Sequence, residues 1–303
     1  MTIPRAYSFP FFAILFWAGN VVVSKMAASE ISPTAITFYR LVLALGIMSV
    51  FVLVPAFKNL KVICQYWPKL ALGGLLSVAL FQSLSYHAAS TTTATNMAIV
   101  TALIPLLTIV LSALILKERV TVGMVFGGAL SLFGLLYLVS QGQMNNLLQQ
   151  GIHRGDGLIF IAASGYALYS VLLKHWKMSI PAWQSTYIQA IFALIYMLPL
   201  FIMVPSGQAK LDANTIPLIV YAGIFSSVLL SYLWIEGIRH LGPNRNSIFM
   251  NLLPLFTALA AIVLLDEKLH VYHIVGGAIT LIGIILAQTV TQPLFVERKL
   301  STH

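Results

Sequence analysis

Ten stretches of about 20 predominantly apolar residues follow one another along this chain, and that succession leaves few folds open. They fall at approximately 8–28, 33–55, 69–90, 92–116, 121–140, 157–176, 181–204, 216–238, 243–265 and 270–290. Each is long enough to carry a helix through the hydrocarbon core of a bilayer. The breaks between them hold turn and charge signals, among them Ser32-Pro33, Lys117-Glu118-Arg119, Pro181, Gly242-Pro243 and Asp266-Glu267-Lys268. Only 8% of the residues are charged, against roughly 25% in a soluble domain. A surface that poor in charge has to face lipid. No ten-residue stretch alternates at period two, which excludes a membrane β-barrel. The expected fold class is an all-α membrane protein with ten transmembrane helices.

The chain also matches itself at a constant offset of 149 residues. Lys25 falls on Lys174, Thr37 on Thr186, Pro68 on Pro217, Gly74 on Gly223 and Ser77 on Ser226. Pro105 falls on Pro254, Glu118 on Glu267, Gly127-Gly128 on Gly276-Gly277, and Gly134 on Gly283. Apolar residues pair by chance, but matched Pro, Glu and Gly-Gly do not. The expected domains are a five-helix repeat over residues 1–142 and a second over 150–303 with a short cytoplasmic tail. Five is an odd number, so the second repeat enters the membrane from the opposite side, and the two repeats are inverted.

Charge placement agrees. With the N-terminus in the cytoplasm, twelve Lys and Arg fall in inside loops and tails and four outside, with Arg40 within the second span. That asymmetry satisfies the positive-inside rule and puts both termini in the cytoplasm of an inner-membrane, multi-pass protein. The net charge of +9 therefore reports orientation and not nucleic-acid binding. Arg5 followed by the apolar run from Phe9 to Val23 has the look of a signal peptide. That segment has a counterpart one repeat later, so it reads as a retained first span. A lone cysteine, Cys64, permits no internal disulfide.

Inverted repeats are an architecture of secondary transporters, with solute sites near the midplane where matched helices are interrupted. Pro105 and Pro254 interrupt spans four and nine at matched positions and are candidate hinges, or packing kinks. Polar residues inside a span are costly unless they face protein or water. They concentrate in spans one, three, four, six, eight and nine, which are expected to surround a cavity. The candidate path residues are Trp17, Asn20, Gln82, Tyr86, His87, Asn96, Tyr169, Glu236 and Asn251. Gln82 with Tyr86, Ser83 with His87, and Tyr232 with Glu236 are each four apart and stack on one helix side. The offset maps His87 onto Glu236, so each half places an ionisable group at the same depth, as a coupling pair or as snorkelling end residues. Asn20, Asn96 and Asn251 serve as solute contacts or as helix glue. Gly127, Ser131 and Gly134 share one face of span five, and Gly276, Thr280 and Gly283 the matching face of span ten, a pattern that favours close packing.

These residues together resemble a known family. Lys117-Glu118-Arg119-Val120-Thr121 with Gly127-Gly128 and Gly134 resembles the end of an EamA unit, as does Asp266-Glu267-Lys268-Leu269 with Gly276-Gly277 and Gly283. Trp17-Ala18-Gly19-Asn20, followed by Lys25, resembles the opening of the first unit, and Arg40 after Phe38-Tyr39 the arginine of the second span. In the second unit Tyr166-Ala167-Leu168-Tyr169 stands where the Trp motif would be. The resemblance is to EamA-type transporters of the drug/metabolite transporter superfamily. It implies ten helices, inverted five-helix repeats, and mostly export of amino acids, their derivatives or other metabolites. An importer or exchanger of the same fold is the alternative.

An enzyme is not expected. The seven His are scattered, and neither an H-E-x-x-H nor a Ser-centred elbow is present. A P-loop is also absent, so ATP is not hydrolysed by this chain. No metal or cofactor is expected. The partners are a small-molecule solute and the lipid bilayer, with no nucleic acid, and a homodimer is left open. A receptor or scaffold, the rival class, needs no inversion and usually carries a larger soluble loop or tail.

Overall fold

A computed structural model describes residues 6–27, 30–89, 100–101, 103–145, 154–253, 255–257, 259 and 270–294. These residues are almost wholly helical. Helix α1 spans Ser8–Ala27 and α2 spans Pro33–Lys58. Helix α3 comprises Leu60–Gly74, a π-helical turn Leu75–Leu80, and Phe81–Ala89. Helix α4 is Ile104–Ile115, α5 is Val122–Val139, α6 is Arg154–His175 and α7 is Ala182–Ile202. Helix α8 comprises Thr215–Tyr221, a π-helical turn Ala222–Leu229, and Leu230–Leu241. Helix α9 is Pro243–Ile248 continued by a 3-10 turn, Phe249–Leu252, and α10 is Val271–Thr289.

Local chemistry sets the boundaries. Pro33, in the first turn of α2, needs no N–H partner there. The Thr121 hydroxyl caps α5 by accepting from the Met124 N–H at 3.2 Å. Gly242, with φ +81°, turns the chain from α8 into α9, a conformation that L side chains rarely adopt.

Among the described residues, six helices are long and apolar enough to cross a membrane: α2, α5, α6, α7, α8 and α10. Their outer faces are apolar. Val50, Phe126, Phe160, Ile202 and Ile285 are all exposed, a surface that water would not tolerate and lipid does.

Two helices meet at unusually short range. A Cβ added to Gly127 would collide with the backbone of Gly283 and Ala287. One added to Gly134 would collide with Gly276 and Thr280, and one on Gly123 with Leu286 and Val290. Contacts that fall in number on α10 as they rise on α5 mean the two helices run antiparallel. Their ends are tied as well, since Val122 N–H donates to the Gln292 carbonyl at 2.8 Å and Leu294 N–H to that of Val120 at 2.8 Å. The small residues singled out in spans five and ten are thus the contact face of a backbone-to-backbone seam.

Candidate functional site

A cavity of about 50 Å³ lies among α1, α2, α3, α6, α7 and α8. It holds a few waters at most. The lining repeats itself at the 149-residue offset. Trp17 pairs with Tyr166, Asn20 with Tyr169, Arg40 with Gln189 and Leu41 with Ala190. Ser77 pairs with Ser226, Val78 with Ser227, Phe81 with Leu230 and Gln82 with Ser231. Thr186, Trp234 and Ile235 complete the wall.

The two π-turns form much of that wall. Ser77, Val78, Ser226 and Ser227 all lie within them. A π-turn widens the helix locally and is often found at functional sites. Each starts beside a glycine packed on the opposite half's backbone. A Cβ on Gly74 would strike the Gln189 carbonyl, and one on Gly223 would lie 3.2 Å from the Arg40 carbonyl. Exchanging each residue for its counterpart turns the first contact into the second.

One side of the cavity is polar. Arg40 is 4% exposed, and its Nε–H donates to Ser227 Oγ at 2.7 Å. Ser227 in turn donates to the Ala222 carbonyl at 3.0 Å, a span of five residues proper to a π-turn. The buried Asn20 Oδ1, Thr186 Oγ1 and Ser226 Oγ find no hydrogen-bond partner among the described residues. The other side is aromatic. Trp17 meets Tyr166, Phe81 and Trp234 edge-on, with ring centroids 5.3, 5.7 and 6.1 Å away. Trp234 is fixed by donating from Nε1 to Ser170 Oγ at 3.3 Å.

A second cavity of about 170 Å³ is lined by Lys174, Lys177 and Arg239, and shares Ile235 with the first. At the same end of the bundle, Lys174 forms an ion pair with Glu118, whose other oxygen accepts from Asn244 Nδ2 at 3.1 Å. This contact ties the α4–α5 link to the end of α6 and the start of α9.

Of the residues singled out from sequence, Trp17, Asn20, Gln82 and Tyr169 line the central cavity. His87 is exposed, with Nδ1 2.7 Å from the Ser83 carbonyl oxygen. Glu236 pairs with Arg239 at 3.1 Å and lies 3.4 Å from His240 Nε2. Neither is among the lining residues. Asn251 is buried and donates from Nδ2 to Ser131 Oγ, which joins α9 to α5. Asn96, Pro254 and the Tyr86 side chain lie outside the described residues. Pro105 sits in the first turn of α4, just after a turn at Leu103, whose N–H donates to the Val100 carbonyl at 3.1 Å. The 3-10 turn of α9 covers the positions matched to 100–103. The lining also includes α2 and α7 residues that the sequence reading leaves out, and no described residue of α4 or α9.

An apolar helical bundle enclosing a small polar cavity is the design of a multi-pass membrane transporter. The sequence profile of the EamA-like transporter family matches residues 5–140 and, a second time, residues 153–289. The chain belongs to that family, and it does so through two repeats. It is 25% identical over 278 residues to the uncharacterized transporter YyaM of Bacillus subtilis (strain 168), covering 91% of each chain. It is 28% identical over 282 residues to an uncharacterized transporter of Archaeoglobus fulgidus, covering 90% of this chain and 93% of that one. A solved crystal structure shares the fold with a TM-score of 0.77 at 18% identity, over 96% of this chain and 99% of the other.

Proposed function

We propose that this transporter is a secondary carrier that exports a small metabolite, such as an amino acid or a derivative, by alternating access. In this reading ten spans form two inverted five-helix repeats, 1–142 and 150–303, in the inner membrane with both termini in the cytoplasm. The observation that carries it is the self-matching wall of the central cavity. A site lined by matched positions of two inverted halves opens to one side or the other when the halves exchange conformations. The antiparallel seam of α5 and α10 supports the inversion. Trp17, Asn20, Gln82 and Tyr169 are the path residues the cavity favours.

A cavity of about 50 Å³ is far below the several hundred that enclose a typical ligand. Solute entry therefore requires the bundle to open. In this reading the turn at Leu103 before Pro105 and the 3-10 turn at Phe249–Leu252 are the hinges. In the same reading the Glu118–Lys174 pair closes one end.

The test is solute flux. Spent medium from cells with and without overexpression is profiled for metabolites, and those that accumulate are assayed in proteoliposomes. Outward movement that the chain alone confers supports export. Movement only inward favours the importer, and no flux of any solute overturns the transport reading for this site.

A further inference from the structure

The geometry points to a small organic monocarboxylate as the solute, with its carboxylate at Arg40 and its apolar body against Trp17, Tyr166 and Trp234. This rests on the transport reading above and narrows it. Among the described residues of the cavity wall, Arg40 is the one charged side chain, and none is Asp or Glu. A guanidinium held in a low-dielectric interior attracts an anion strongly, and its planar fork matches a carboxylate better than any other common anion except phosphate.

The surrounding groups are hydrogen-bond donors of the right kind. Thr186 Oγ1 and Ser226 Oγ are buried, line the same cavity, and are without partners among the described residues. Two hydroxyls beside a guanidinium complete the shell of a carboxylate, which accepts at both oxygens. Asn20 Oδ1, also buried and unsatisfied, is an acceptor, and suits an N–H or O–H adjacent to that carboxylate. The count of charges selects against a dianion. Gln189 occupies the position matched to Arg40, and it is neutral.

The approach has the same sign. The neighbouring cavity carries Lys174, Lys177 and Arg239 and, among its described lining residues, no acidic one, although Glu118 and Glu236 pair with two of the three from outside it. A cleft of net positive charge raises the local concentration of anions. Beyond Ile235, which both cavities share, the path ends at the aromatic side, where an apolar body displaces no hydrogen bond.

The experiment uses the purified full chain in detergent and three probes of one shape: 3-phenylpropionate, 3-phenylpropionamide and 2-phenylethylammonium. Thermal unfolding is followed with each probe at millimolar concentration. The carboxylate is expected to raise Tm, and the amide and the amine are not. In Arg40→Gln, which installs the residue found at the matched position, the apparent affinity for the carboxylate falls roughly tenfold or more. Arg40→Lys keeps part of it. Equal shifts from all three probes, no shift from the carboxylate, or a carboxylate shift unchanged in Arg40→Gln would overturn the inference. If Arg40→Gln does not fold, the contrast of carboxylate with amide on the unmutated chain decides. Proteoliposome counterflow separates the two levels. Flux of the amine without flux of the carboxylate sinks the anion inference and leaves transport standing. Arg40-dependent stabilisation by carboxylate without flux of any probe does the reverse.

Discussion

The Thr280 hydroxyl reaches the main-chain carbonyl of Ser131, at 3.4 Å, and the two residues are exactly one repeat apart. A residue that touches its own counterpart marks the line about which the two repeats are related. The glycine contacts around it exchange in the same way. Gly127 meets Gly283, and their counterparts Gly276 and Gly134 meet each other. Close backbone approach here leaves no space for a side chain.

Gly127→Ala and Gly283→Ala are each expected to destabilise the protein, by about 1–3 kcal/mol, because the new methyl group meets backbone that cannot step aside. Gly46 is the control. Nothing lies within 4 Å of a Cβ built there, and Gly46→Ala should hold or raise stability by about 0.5–1 kcal/mol, as an alanine does within a helix. Thermal unfolding in detergent reads both. Equal melting of all three variants with the unmutated chain would show that the seam yields.

The Glu118–Lys174 pair predicts a different signature. Both side chains are partly exposed, so the pair contributes about 0–1 kcal/mol to stability. Glu118→Gln and Lys174→Gln should leave membrane abundance unchanged and alter flux. The charge-reversed double variant, Glu118→Lys with Lys174→Glu, should restore flux toward the original value. Without that restoration, the two residues act separately and not as a closing contact.

Topology is checked with reporter fusions. From the twelve-to-four distribution of basic residues, a fusion after Gln292 is expected to report the cytoplasm. A fusion within 143–150 is expected to report the outside. Reporters on the same side of the membrane would remove the inversion on which alternating access depends.

Access to the cavity is read with cysteine. Cys64 is exposed and is first replaced by serine. Cysteine at Gln82, in the cavity wall, should then be labelled by a small water-soluble thiol reagent and protected by a transported solute. Cysteine at Phe126, exposed on the apolar outer face of α5, should stay unlabelled in membranes. The reverse pattern would place the aqueous path elsewhere.

Asp212 gives a pH dependence. The backbone N–H of Thr215 and that of Asn214 donate to its carboxylate at 2.9 and 3.0 Å. These bonds, Thr215 first, hold the carboxyl below its ordinary value of 3.8. The contribution to the start of α8 is complete above that value and is lost as pH falls through the lowered one. Hydrogen exchange over 215–221 should quicken in that acid window. Asp212→Ala should show the faster exchange already at neutral pH. Exchange in that variant no faster than in the unmutated chain would mean that α8 starts without the carboxylate.

Much of this was legible in the sequence because it was periodic or matched. The glycines of spans five and ten announced a close seam, since only small residues permit it. Trp17, Asn20, Gln82 and Tyr169 could be singled out because a polar or amphipathic residue within lipid requires a partner. The Arg40–Thr186–Gln189 side of the cavity was harder to see. Span seven carries Gln184, Thr186, Tyr187 and Gln189 close together, and sequence position does not separate Thr186 and Gln189, which line the cavity, from Gln184 and Tyr187, which bond Asn59 and Ser49. The π-turns were hidden for another reason. An α-helix and a π-turn share the same residue preferences, and only the matched Gly74/Gly223 and Ser77/Ser226 marked the place. The repeat places His87 and Glu236 at one depth, but depth does not specify which way a side chain points.

The two π-turns also share one register. Such a turn arises when one extra residue is accommodated within an α-helix without breaking it. Leu75–Leu80 and Ala222–Leu229 bear that extra residue at matched positions, and the 149-residue register is unbroken on either side of them. A later insertion in one copy alone would have shifted the register by one. The widening therefore belongs to both repeats alike, and neither has gained or lost a residue there relative to the other.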